Sequence, residues 1–122
     1  MMSKSILVVD DSESIRELVG LTLESAGHTV TKGVDGIDAL RLLDGREVNL
    51  VITDLNMPQM DGISLIREIR KLESYSTIPV LGLTTESQAA KKEEAKAAGA
   101  TGWIVKPFVA DKLLEVVKKV IR

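Results

Sequence analysis

Residues 5–14 read SILVVDDSES, an apolar run that ends on two adjacent carboxylates. The run Ser5–Val9 has the length and composition of a buried strand, and Asp10 and Asp11 follow at its carboxyl end. Two like charges about 4 Å apart repel by roughly 4 kcal/mol at an effective dielectric constant near 20. The pair therefore predicts a compensating group, which could be solvent, a helix N-terminus, a lysine or a cation.

Four further apolar segments follow along the chain, with amphipathic stretches between and after them. The predicted strands are Ser5–Val9, His28–Lys32, Leu50–Asp54, Ile78–Thr84 and Thr101–Val105. Apolar residues at helical spacing form four stripes, namely Ile15, Leu18, Val19, Thr22, Leu23 and Ala26; Ile37, Leu40 and Leu43; Ile63, Ile66 and Ile69; and Leu113, Val117, Val120 and Ile121. Apolar strands that alternate with helices indicate a parallel sheet covered on both faces. The sequence therefore predicts one α/β domain of five βα units over residues 1–122.

The predicted fourth helix, Ser87 to Ala98, differs from the others because its apolar residues are all alanines. Its intrinsic helix propensity is high, but no large side chain would anchor it to the sheet. Two interpretations stay open at this point. The segment is either an ordinary solvated helix or an element of low local stability that shifts with ligand state.

The overall composition excludes several classes of protein. The 122 residues carry a formal charge of −2 and include no cysteine. There is no basis for a disulfide or zinc framework, or for electrostatic binding to nucleic acid or an anionic membrane. The N-terminus does not resemble a signal peptide, and no apolar stretch approaches the about 20 residues of a membrane span. We expect a cytoplasmic protein.

Polar side chains follow four of the five predicted strands. Asp10 and Asp11 follow the first, Asp54 and Thr84 end the third and fourth, and Lys106 follows the fifth. Each has an ordinary explanation by itself, but the carboxyl ends of parallel strands meet at one edge of a sheet. Three carboxylates suit a hard cation such as Mg²⁺, and a lysine and a hydroxyl beside them suit a phosphoryl group. Asp54, alone on its strand, is the predicted phosphoacceptor.

Four motifs carry a resemblance to a known family. They are VVDDS (8–12), DLNMPQMDG (54–62), LTTE (83–86) and GWIVKPF (102–108). In this order and spacing the whole chain resembles the receiver domain of two-component response regulators, in its single-domain CheY-like form. The resemblance implies a doubly wound (βα)5 fold of the flavodoxin-like type, with strand order 2-1-3-4-5 and helices on both faces of the sheet.

The resemblance also implies how the site binds its metal and its phosphoryl group. Asp54 would accept a phosphoryl group from a histidine kinase. Asp11 would bind Mg²⁺ directly, Asp10 would act chiefly through a bound water, and the backbone carbonyl of Asn56 would be a further ligand. The lysine and hydroxyl of the cluster would contact the phosphoryl oxygens.

Other motif residues are expected to shape or tune the site. Trp103 stands where the family usually has Tyr or Phe, and it would move inward as Thr84 turns to the phosphoryl group; simple packing on the sheet edge is the alternative. Asn56 and Glu86 would influence the rate of hydrolysis. The residues expected to shape the loops, including a cis peptide bond after Lys106, are Met57, Pro58, Gly62 and Pro107.

We therefore expect a phosphorylation-dependent signalling switch that is not an enzyme in the usual sense. Its output surface would be the fourth helix, fifth strand and fifth helix. The expected partners are a histidine kinase, a phosphatase and a downstream protein, such as the flagellar motor switch in chemotaxis, with the switch itself a monomer. Because the chain ends at Arg122 without a DNA-binding module, protein binding is the expected output. A phosphorelay intermediate or a non-flagellar regulator is the alternative.

Other protein classes use part of this pattern. A haloacid-dehalogenase-type phosphatase needs a second acid two residues after the nucleophile, where this chain has Asn56. A flavin- or nucleotide-binding flavodoxin-like protein needs phosphate-binding donors after the first strand, where Asp10 and Asp11 stand. A receiver that cannot be phosphorylated would lack part of the site, and here every site residue is present.

Overall fold

The computed structural model describes residues 4–57, 60–85 and 89–121. Within them the strands are β1 (Ser5–Val9), β2 (Thr29–Gly33), β3 (Leu50–Asp54), β4 (Val80–Thr85) and β5 (Gly102–Lys106). The helices are α1 (Glu13–Ser25), α2 (Gly36–Leu42), α3 (Gly62–Lys71), α4 (Ala89–Ala98) and α5 (Ala110–Val120), with a 3₁₀ turn at Glu73–Tyr75. No helix in these ranges is long and apolar enough to span a membrane.

The five strands form one parallel sheet in the order β2-β1-β3-β4-β5, which confirms the predicted fold. β1 and β3 have the predicted bounds, and the other strands differ from prediction by one or two residues at each end. One row of paired residues crosses the sheet, and it consists of Gly33, Val9, Thr53, Gly82 and Trp103. The residues just beyond this row therefore meet along one edge. β1 lies between β2 and β3, so the crevice at the topological switch point opens beside the end of β1.

Alternate strand residues supply two separate cores. Val8 and Ile52 lie in the core that packs under α1 and α5, whereas Leu7 and Val51 lie in the core under α2, α3 and α4. All four are essentially inaccessible to solvent, and each such side chain contributes about 1.5–3 kcal/mol when buried. The strands are therefore held rigidly from both faces, which fixes the positions of the residues that follow them.

Two residues of the predicted apolar stripes do not face the core. Leu18 is 48% exposed and Ile37 is 55% exposed. In α1 a Cβ atom at Gly20 would lie 2.9 Å from Lys32 Cε, so this side of the helix lies against β2. Leu18 projects about 200° away from Gly20 around the helix. In α2 the buried positions are Gly36 and Ala39, and Ile37 projects away from both of them.

Candidate functional site

The ends of β1 and β3 bring three carboxylates together. Carboxylate oxygens of Asp10, Asp11 and Asp54 all lie within 4.8 Å of one another. Asp10 is fully buried, Asp54 is 6% exposed, and Asp11 is exposed at the mouth of the cluster. Two of the three charges are therefore withdrawn from water, while the third faces the solvent from which a ligand would enter.

The turn after β1 is held by hydrogen bonds centred on Asp10. Its amide donates to the carbonyl of Gly33 (3.2 Å), and its carboxylate accepts from the amide of Ser12 (2.9 Å). The guanidinium of Arg16 donates to the Asp10 carbonyl (2.6 Å). Ser12 caps α1 by accepting from the amide of Ile15. The sequence analysis did not identify Arg16; a basic residue in the second turn of the helix that follows the acidic pair was the available signal.

Lys106 supplies the compensating charge for the carboxylates. Its ammonium lies 3.3 Å from Asp10 Oδ2 and 3.2 Å from Asp54 Oδ1, and its side chain is 20% exposed. The peptide bond between Lys106 and Pro107 is cis. One ammonium faces three carboxylates, so the cluster keeps an excess of negative charge.

The pKa of Asp54 reflects this excess. Burial raises the pKa of the Asp54 carboxyl above its ordinary value, and the charge of Asp10 raises it further. Lys106 and the amide of Asn56, which lies 3.4 Å from Asp54 Oδ1, act in the opposite direction without cancelling the rise. A further positive charge would therefore favour the ionised form of Asp54.

The donor set fits a hard divalent cation. It offers only oxygen ligands, and the exposed position of Asp11 leaves that side open to water molecules, which Mg²⁺ retains in most protein sites. Asp10, Asp11 and Asp54 are the residues that would hold the ion.

The loop after Asp54 requires a close approach of two backbone segments. A Cβ atom at Gly62 would lie 2.1 Å from the carbonyl oxygen of Asp54, a distance that only glycine permits. The amide of Gly62 donates to the carbonyl of Leu55 (3.3 Å), and Met57 is buried beneath the loop. Pro58 lies outside the described residues. The start of α3 is thus packed directly against the backbone of Asp54.

Thr84 and Trp103 lie on the same face of the sheet. Thr84 pairs with Val105 and Trp103 pairs with Gly82, so the two side chains are diagonal neighbours on the face covered by α4. Thr84 is fully buried, and its hydroxyl donates to the carbonyl of Thr85 (3.3 Å). Trp103 is 38% exposed, with the ammonium of Lys92 5.8 Å from its ring centroid. Glu86 lies outside the described residues.

Residues 6–118 match the family model of the response regulator receiver domain. The chain belongs to this family. Receiver domains are modules of two-component phosphorelay signalling, so the chain is a signalling protein and not a classical enzyme.

Curated relatives and solved structures agree with this assignment. The chain is 40% identical over 116 residues to the chemotaxis protein CheY-3 of Vibrio cholerae serotype O1, covering 94% of this chain and 89% of that protein. It is 38% identical over 118 residues to a chemotaxis protein CheY homolog of Campylobacter jejuni, covering 95% and 91%. The high-resolution structure of the chemotaxis response regulator CheY4 of Vibrio cholerae superimposes with a TM-score of 0.92 at 42% identity, covering 98% of this chain and 99% of that one.

Proposed function

We propose that Asp54 is the phosphoacceptor of this receiver domain and that Asp10 and Asp11 hold Mg²⁺ beside it. The carrying observation is the shared position of Lys106, whose ammonium contacts both Asp10 and Asp54. Among the three carboxylates, Asp54 stands alone at the end of the central strand β3. This position supports Asp54 as the acceptor, with Asp54 itself a further ligand of the cation beside Asp10 and Asp11.

The chemistry requires the ionised form of Asp54. A carboxylate oxygen of Asp54 forms a bond to phosphorus as the bond from phosphorus to the donor nitrogen of a phosphohistidine breaks, and the imidazole leaves with the electron pair. Lys106 neutralises charge on the transferred group. A cation held by Asp10, Asp11 and Asp54 would supply the remaining neutralisation and would favour the ionised form of Asp54. The backbone carbonyl of Asn56 is proposed as a further ligand.

Asn56 and Glu86 are proposed to tune the lifetime of the phosphoryl group. Asn56 is exposed two residues after Asp54, and this exposure supports a role for its side chain in orienting or obstructing an incoming water molecule. Glu86 is assigned this role from its place in the family motif. The receiver would thus accept and lose a phosphoryl group without turning over an external substrate.

The proposed switch couples Thr84 to Trp103. The hydroxyl of Thr84 would leave the carbonyl of Thr85 and turn to the phosphoryl group, and the ring of Trp103 would follow it inward. Their diagonal placement on one face of the sheet supports this coupling, as does the partial exposure of the tryptophan ring. An inward movement would change the surface formed by α4, β5 and α5.

That surface carries a groove of about 780 Å³ along β5, the segment that follows it and the first two turns of α5. Its lining includes Trp103, Val105, Phe108, Val109, Lys112 and Val116. We propose that a downstream protein docks here, and that in chemotaxis this protein belongs to the flagellar motor switch, because the relatives named above are chemotaxis proteins. A phosphorelay partner is the alternative. We also propose that the protein is a cytoplasmic monomer. A histidine kinase would phosphorylate it, and a phosphatase would dephosphorylate it.

Phosphorylation by a small-molecule donor tests the acceptor. The wild-type protein, incubated with acetyl phosphate and Mg²⁺, is expected to gain one phosphoryl group by intact mass, whereas Asp54→Asn gains none. Asp44→Asn is the matched control because Asp44 lies on an exposed loop. Phosphate incorporation into Asp54→Asn would refute the assignment. Capture of partners with and without beryllofluoride then separates a flagellar switch protein from a histidine-phosphotransfer protein.

A further inference from the structure

Helix α4 is attached to the domain mainly at its C-terminal end. Among its described side chains, from Ala90 to Ala98, only Ala95 is fully buried. Ala98 and Ala100 pack partly against the same core as Ala95. The predicted lack of a large apolar anchor is therefore correct for these positions, and burial is concentrated in the last turn.

The last turn is closed by a left-handed glycine. Gly99 has φ +113°, and its amide donates to the carbonyls of Ala95 (3.1 Å) and Lys96 (3.0 Å). The amide of Ala100 also donates to the Ala95 carbonyl (2.9 Å). This termination leaves the Gly99 carbonyl directed out of the helix, at the end where the helix dipole places partial negative charge.

Arg70, in the last turn of α3, binds this terminus. Its Nε and Nη2 atoms both donate to the Gly99 carbonyl, at 3.1 and 2.7 Å. Its Nη1 atom donates to the carbonyls of Ser76 (3.2 Å) and Ile78 (2.7 Å), which lead into β4. One guanidinium therefore joins the end of α3, the entry to β4 and the end of α4.

The Arg70 contact is built from backbone dipoles. Burial lowers the pKa of the Arg70 guanidinium, and no carboxylate in the described part of the chain forms an ion pair with it. The group stays charged because an arginine cannot lose its proton under ordinary conditions. A Cβ atom at Gly99 would lie 2.9 Å from Arg70 Nε, so the glycine also makes room for the arginine.

The other half of α4 makes a different kind of contact. Lys92 lies seven residues before Gly99, about 10 Å along the helix axis. Its ammonium lies over the exposed ring of Trp103 at 5.8 Å, an interaction worth about 0.5–1 kcal/mol at an exposed site. Two charged hydrogen bonds from Arg70 to the Gly99 carbonyl at one end, and a solvated ring contact nearer the other end, make the two halves unequal in strength.

We propose that Arg70 is the pivot of α4. It clamps the C-terminal end of the helix, so that a change at Trp103 moves only the N-terminal half. This inference rests on the proposed function, since it names the hinge about which the output surface changes. None of the hydrogen bonds of Arg70 described above reaches the carboxylate cluster. Its role is therefore to position α4 and not to take part in phosphoryl transfer.

Amide hydrogen exchange resolved by residue tests the pivot. The amides of Gly99 and Ala100 report the clamped end because both are hydrogen-bonded there. In wild-type protein, beryllofluoride with Mg²⁺ is expected to change exchange at Glu93 and Glu94 and to leave Gly99 and Ala100 unchanged. Equal changes along the whole of α4 would overturn the proposal.

Variants at Arg70 give the second arm of the test. Without any ligand, Arg70→Met is expected to exchange at least about tenfold faster at Gly99 and Ala100, because several charged hydrogen bonds are lost. Arg70→Lys keeps the charge and is expected to show an intermediate effect, and it serves if Arg70→Met does not fold. Arg67→Met, one turn earlier and exposed, is the matched control. Wild-type exchange in both Arg70 variants would overturn the pivot.

The two arms separate this inference from the proposed function. If beryllofluoride leaves the amide signals of Asp54 and Thr84 unshifted, the proposed phosphoacceptor site fails. The ligand-free comparison of Arg70→Met with wild type would still decide whether Arg70 clamps α4.

Discussion

The ammonium of Lys106 lies 3.2 Å from the carboxylate of Asp54, although the two residues are 52 positions apart in the sequence. Each stands at the carboxyl end of its strand, and β4 lies between these strands in the sheet. The contact is therefore a product of the parallel topology. It partly neutralises the acidic cluster.

Replacement of Lys106 tests this compensation. Lys106→Met is expected to lower the free energy of unfolding without Mg²⁺ by about 2–4 kcal/mol, because two buried carboxylates lose their partner. Added Mg²⁺ should reduce the deficit. Chemical denaturation with and without the ion measures it, with Lys118→Met on the exposed side of α5 as control. A deficit that Mg²⁺ does not change would mean that Lys106 stabilises the fold in another way.

The raised pKa of Asp54 predicts that this carboxyl destabilises the fold at neutral pH. The folded state holds the Asp54 proton more tightly than the unfolded state, so stability falls as the pH rises between the two pKa values. Without metal, Asp54→Asn is expected to have a higher free energy of unfolding than the wild type at pH 7. The gain should shrink as the pH falls from the folded pKa towards the unfolded pKa, near about 4, and should vanish below it. A gain that did not depend on pH would contradict this explanation.

Asp38 is expected to behave in the opposite way. The amide of Val34 and the guanidinium of Arg41 lower the pKa of the Asp38 carboxyl, with the amide as the larger cause. A lowered pKa stabilises the fold above the unfolded value, and this contribution is lost as the pH falls through the folded value. Asp38→Asn should therefore be less stable than wild type at pH 7, and the difference should vanish in acid. Chemical denaturation of the wild type, Asp54→Asn and Asp38→Asn at several pH values measures both effects on the free energy of unfolding.

Gly62 is expected to tolerate no side chain. Gly62→Ala would place a Cβ atom 2.1 Å from the Asp54 carbonyl oxygen, and the backbone shift should cost about 3 kcal/mol or more and slow phosphorylation. Gly45→Ala is the control, because Gly45 also has special geometry (φ +108°) but open space around it. Gly45→Ala should lower the free energy of unfolding by about 1–2 kcal/mol through backbone strain alone, and it should be phosphorylated normally. Equal behaviour of the two variants would show that the close approach is unimportant.

The contact between Lys92 and Trp103 predicts a change in the accessibility of the ring. Lys92→Met should make Trp103 more accessible to acrylamide quenching, while stability changes by less than about 1 kcal/mol. Lys91→Met is the neighbouring control. Beryllofluoride with Mg²⁺ should decrease quenching in the wild type if the ring moves inward. Unchanged quenching in every sample would rule out both the covering ammonium and the inward movement.

Much of the fold could be predicted from the sequence because its signals are local. The apolar runs at Ser5–Val9 and Leu50–Asp54 coincide with β1 and β3, since a short apolar run rich in β-branched residues is typical of a strand buried on both faces. The stripes that included Leu18 and Ile37 were wrong at those positions. Periodicity identifies an apolar helix face, but only packing against a particular neighbour decides how that face is rotated.

The sequence by itself determined the residue types of the site and the strand ends that carry them, because side chains that follow parallel strands must share an edge. It could not show that Lys106 joins Asp10 to Asp54, that Arg16 fixes the turn after β1, or that Arg70 clamps the end of α4. These contacts join positions that are distant in the chain or depend on which carbonyl a flexible side chain reaches. Only the tertiary structure decides such distances, because hydrogen bonds and ion pairs depend on differences of a few tenths of an ångström.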